Sequence, residues 1–185
     1  MFRRLFGLDR TASRAVTDSL YREIVAAARQ QALYSSWGVP DTPLGRFEML
    51  SAHMFLFLHR IRGEEMARAI GQDLTDEFFR DIDHSLRELG IGDMGVPKRM
   101  KKLSRMFYGR VASYGEALDN GDRGALAVAL ARNVTPDHSG WPQAAALGTY
   151  MFAARDALAG QETADFLQGS LFFPVPSPAM VEAAA

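Results

Sequence analysis

All three lysines of this 185-residue chain, Lys98, Lys101 and Lys102, fall within five positions, while the other eighteen bases are arginines. With Arg99, Arg105 and Arg110 they form a stretch between Asp93 and Glu116 that holds no acid. Fixed ammonium and guanidinium charges at this density can hold phosphate oxygens, anionic lipid headgroups or an acidic segment of another protein. Titratable catalytic groups are scarcer. The chain has no cysteine, which excludes disulfides, thiolate metal sites and thiol nucleophiles. Its four histidines offer little metal geometry. His53 and His59 stand roughly 240° apart on a helix, so they cannot act as an i, i+4 pair. A metal site would have to gather His59, Asp83 and His84 from separate helices. No nucleophile elbow, phosphate loop or dinucleotide turn occurs, so no residue is a candidate for catalysis and no cofactor is expected.

The elements that position these charges are helices. Helical periodicity runs from about residue 13 to 170, and strand-like alternation is absent. The expected fold is an all-α, single-domain bundle of about six to seven helices around a buried central one. The spacing predicts helices at about 14–35, 42–62, 64–89, 97–118, 123–132, 143–159 and 163–170. Thr42 should cap the second, with Pro43 at its first position. Its apolar residues, Phe47, Leu50, Met54, Phe55, Phe57, Leu58 and Ile61, cover most of its circumference, which marks it as the central element. Gly71 is a possible interruption of the third, and Gly90 and Gly92 should end it. Asp93 is a candidate cap for the turn leading to Pro97.

In the fourth helix, Met100, Leu103, Phe107, Val111, Tyr114 and Leu118 make a core-facing stripe. Lys98, Lys101, Lys102 and Arg105 then lie on the opposite side, with Arg99 and Arg110 flanking the stripe. One alternative is that this face pairs with the acidic stretch 73–88 of the preceding helix.

Length and 48% apolar content suit one domain with a substantial core. A net charge of -1 and a pI near 6.4 argue against a general nucleic-acid coat protein. The strongest apolar run, 49–58, is half of a membrane span. Residues 1–12 read as a short cationic amphipathic start in which Phe2, Arg3, Arg4 and Phe6 are candidates for contact with an anionic membrane. Residues 13–172 read as the helical domain and 173–185 as a flexible Pro/Ala-rich tail. The start is too short for a secretory signal, so a cytoplasmic location is expected.

Two stretches carry a resemblance: GVPDTPLGRFEMLSAHMFLFLHRIRG, residues 38–63, and FFRDIDHSLRELGIGDMGVPKRMKKLSRMFYGR, residues 78–110. In order and spacing they resemble the ubiquinol-cytochrome c chaperone family. The resemblance implies a non-enzymatic assembly factor for the bc1 complex, binding newly made cytochrome b near the membrane. A bacterial relative would act from the cytoplasmic face of the inner membrane, with the ribosome and a partner chaperone as further partners and no role in DNA binding. On this view Lys98, Arg99, Lys101, Lys102 and Arg105 form a partner-binding rim, bordered by Tyr108 and Arg110. Asp41, Arg46 and Asp93 match polar positions of the pattern. Two other readings stand beside it: a helical ligand- or cofactor-binding protein or enzyme, and an RNA- or ribosome-binding module using the face from Lys98 to Arg105.

Overall fold

The computed structural model describes residues 3–136, 140–177 and 179–180, with side chains from residue 13 onward. Six long helices and two of five residues account for the fold among these residues, and none of them is in a strand. They are α1 (Arg3–Ala28), α2 (Gln31–Ser35), α3 (Pro43–Arg60), α4 (Arg68–Glu88), α5 (Val96–Asp119), α6 (Arg123–Val134), α7 (Ala144–Ala159) and α8 (Thr163–Leu167), with a 3-10 turn at Glu65–Ala67.

The central helix is α3. It packs against α1, α5, α6 and α7, and every residue from Phe47 to Phe57 except Leu50 is buried. Its start is held as its residues dictate. The Thr42 hydroxyl accepts from the Gly45 amide at 3.1 Å, and Pro43 occupies the first turn, where no N–H is required. Gly45 also leaves no room for a side chain, because a Cβ there would lie 1.9 Å from the Pro40 carbonyl oxygen. In an open helix Gly→Ala gains up to about 1 kcal/mol. Here the backbone clash outweighs that gain, and Gly45→Ala should destabilise the protein by about 1–3 kcal/mol. Thermal unfolding of the variant checks this, and an unchanged or raised midpoint would contradict it.

Three expectations change. The first predicted helix, 14–35, is divided: α1 ends at Ala28, and Gln30 leaves the helical conformation (φ -57, ψ 126) before α2. Tertiary contact supports the break, since the Gln30 side-chain amide donates to the Pro174 carbonyl at 3.4 Å. Gly71 does not interrupt α4; its missing side chain lets the helix approach Ile61 and Leu58. The tail begins docked, with Phe173 only 7% exposed and its ring edge-on to His53 at 5.2 Å. Apolar burial of Leu171 and Phe173 holds that segment, and nearby prolines lower the entropy cost of ordering it. Residues 181–185 lie outside the described residues. So does Phe2, together with the side chains of Arg3, Arg4 and Phe6.

Candidate functional site: an apolar groove with a cationic rim

Helix α5 lies on α4 through an aromatic stack. Phe107 meets Phe78 at 4.8 Å and Phe79 at 5.8 Å between ring centroids. Burial of this stripe turns the opposite face of α5 to solvent. Lys98, Arg99, Lys101, Lys102 and Arg105 are all exposed. Among the described residues none of them comes within 4 Å of a carboxylate.

The acids of α4 are engaged elsewhere. Asp81 accepts from the Tyr21 hydroxyl at 2.8 Å, and burial together with that carboxylate pushes the phenol far above its ordinary range. Asp83 holds Arg87 at 2.7 Å, Glu77 holds Arg80, and Asp76 accepts from Gln72. The basic face therefore does not close onto the acidic stretch before it.

Between α1, α2, α3, α4 and α5 lies an open groove of about 1060 Å³. Its floor is apolar: Val25 and Ala28 from α1, Phe47 and Leu50 from α3, Ile82 and Leu86 from α4, and Leu103 and Met106 from α5. Six bases line it, namely Arg29, Arg46, Lys98, Arg99, Lys102 and Arg105, against two acids, Asp81 and Glu88. Arg46 is tied to Asp41 at 2.6 Å, which holds the Asp41 carboxyl below its usual value.

Of the predicted site residues, Lys98, Arg99, Lys102 and Arg105 thus share one rim. Lys101 is exposed on α5 outside the groove lining. Tyr108 is also exposed and leans on Phe79 at 6.2 Å. Arg110 must be reassigned. It is 9% exposed, and its guanidinium grips the buried Glu48 carboxylate with two hydrogen bonds, one of them Nε to Oε2 at 2.8 Å. A flank position on a helical projection becomes interior once α3 packs against it. Burial raises the Glu48 carboxyl while the Arg110 charge pulls it down.

Asp93 does not cap α5. Gly95 holds that position, and Asp93 pairs with Arg87. The histidines do not converge with Asp83: His59 meets Asp119 at 2.9 Å and His84 meets Glu88. Arg62 and His59 together hold the Asp119 carboxyl below its ordinary value. Sequence reasoning missed Arg29, Arg46 and Leu50 as groove residues, because nothing local relates them to α5.

The bundle thus presents a wide apolar groove with unpaired bases along one edge, the kind of surface a chaperone would offer another chain. The family model described as Ubiquinol-cytochrome C chaperone matches residues 35–173, so the chain belongs to the ubiquinol-cytochrome c chaperone family. Among solved structures, it is similar to the crystal structure of the Cbp3 homolog from Brucella abortus. The two share 54% identity with a TM-score of 0.86, over 94% of this chain and 97% of that one. No protein of curated function matches it.

Proposed function

We propose that this chain is a non-enzymatic assembly chaperone for the ubiquinol-cytochrome c reductase (bc1) complex, and that its groove receives an apolar segment of newly made cytochrome b. The groove carries the reading. A membrane protein outside the bilayer exposes apolar segments that aggregate unless covered. A helix laid into a groove buries its i, i+3 and i+4 anchors, and here Leu50, Leu103 and Met106 offer half-buried apolar contact. The bases at the rim complement acidic residues flanking such a segment, or anionic lipid beside it.

No helix among the described residues is long and apolar enough to cross a membrane. The chain would work as a peripheral protein on the cytoplasmic face of the inner membrane, beside the ribosome and a partner chaperone.

A photoreactive residue at Leu103 should capture cytochrome b in growing cells, and deletion of the gene should lower assembled bc1 complex. Failure of capture together with normal bc1 levels would overturn the proposal. A chromophore or organic cofactor in the purified protein would favour a cofactor carrier. The exposed lysines support RNA or ribosome contact as a second reading, and it predicts affinity that collapses as salt rises.

A further inference from the structure

The turn between α4 and α5 projects apolar side chains instead of covering them. Gly90 takes a left-handed conformation (φ 78), its amide donates to the Arg87 carbonyl, and the Ile91 amide donates to the Leu86 carbonyl at 3.2 Å. That pair of bonds is the Schellman closure of a helix end. The Gly95 and Val96 amides both donate to the Gly92 carbonyl, so the far side of the turn is braced as well. On this fixed turn Met94 is 97% exposed and Leu89 58% exposed.

A lone exposed apolar residue means little. The charge around these two gives them meaning. From Leu89 to Met106 there are five bases and one acid, Asp93, and that acid is paired with Arg87. Lys98 to Lys102 follow Met94 within roughly 12 Å of helix rise. Exposed apolar side chains on a turn with cations directly behind suit a flat anionic surface, since the turn enters the headgroup layer while the bases meet phosphates. Met94, the most exposed of these side chains, and Lys101 lie outside the groove lining that a peptide would fill.

We infer that the turn from Leu89 to Met94, backed by Lys98, Arg99, Lys101 and Lys102, docks the protein on anionic lipid. This rests on the peripheral-membrane reading above and names its contact. Leu89 also borders the groove, so docking would bring the groove mouth to the bilayer from which an apolar segment must be kept or delivered.

The test is co-sedimentation of the purified full chain with vesicles of phosphatidylcholine alone or mixed with phosphatidylglycerol. Wild type should bind only the anionic vesicles, with added salt weakening it. Leu89→Ser with Met94→Ser leaves the charge unaltered and should lower partitioning by about tenfold or more. Met66→Ser, at an exposed methionine elsewhere, should change nothing. Unchanged binding of the double variant would overturn the docking turn while leaving the peripheral reading standing. No binding of wild type to anionic vesicles would remove both. Binding to single-stranded RNA in preference to vesicles would assign the lysines to nucleic acid and overturn the proposal.

Discussion

Glu48→Ala should lower stability by about 3–5 kcal/mol, the cost of leaving a buried guanidinium without its counter-charge. For a chain of this size that corresponds to a fall in Tm on the order of 10 °C. Arg110 has nowhere to turn, because its third guanidinium nitrogen, Nη1, already donates to the Met106 carbonyl at 2.9 Å and its side chain is 10% exposed. Arg110→Ala should be comparably costly. The pair itself is worth far less than either deletion suggests. Burial raises the Glu48 carboxyl in spite of the adjacent arginine, so desolvation opposes much of the Coulomb gain. Glu48→Met with Arg110→Met should therefore recover most of the lost stability. A double variant as unstable as the singles would contradict this account.

The same pair bears on the groove. Glu48 sits on α3 between Phe47 and Met49, and Arg110 lies one turn beyond Met106, so the ion pair fixes how far α5 slides along α3. Apolar replacements have no directional preference of that kind. The double variant should melt near wild type and still capture less cytochrome b from a probe at Leu103. Equal capture would show that packing alone sets the register.

The burial of Arg110 is not legible in the sequence. Periodicity assigns a helical residue to a face but cannot say how wide the covering is. The burial of Phe107, Tyr114 and Leu118 and the exposure of the bases were legible because 3.6-residue spacing decides them, whereas the placing of Leu103 in a groove rimmed by those bases was not. Thr42 and Pro43 were legible too, because their roles depend on three neighbouring residues. Arg110 is decided by Glu48, sixty-two positions away, and the groove is decided by five helices at once. The break at Gln30 has no local glycine or proline to announce it and depends on the tail returning to Pro174. Family resemblance supplied the class of protein, which periodicity could not, but not the groove, since its motifs run along both walls from Arg46 and Phe47 to Lys98 and Arg105 without saying that these face one another.

The second large effect should appear on mild acidification. His53 is fully buried on α3, and its two ring nitrogens are both occupied. Nδ1 lies 2.8 Å from the Met49 carbonyl, which can only accept, so the proton resides there. Nε2, 2.8 Å from the Tyr150 hydroxyl, must then accept. Burial keeps Tyr150 protonated by raising its phenol, and pushes His53 down to about 4. A depressed histidine favours folding while neutral, so its contribution is complete above the unfolded value near 6.5 and is lost as pH falls toward 4. The loss is about 2 kcal/mol by pH 5 and about 3 kcal/mol by pH 4. Asp41 and Asp119, held low by Arg46 and by Arg62 with His59, contribute stability that is lost only as pH falls through and below the ordinary carboxyl range. Between pH 6.5 and 5 the loss therefore falls to His53, while the raised Glu48 carboxyl acts in the opposite direction, gaining stability as pH falls. His53→Gln should lower stability at neutral pH and flatten the melting temperature across that interval. An unaltered slope in the variant would assign the acid sensitivity to another group. Protonation would place a charge against the Phe173 ring with no counter-ion in contact, so the segment from Leu171 to Val175 should lose amide-exchange protection before the α3–α7 interface does.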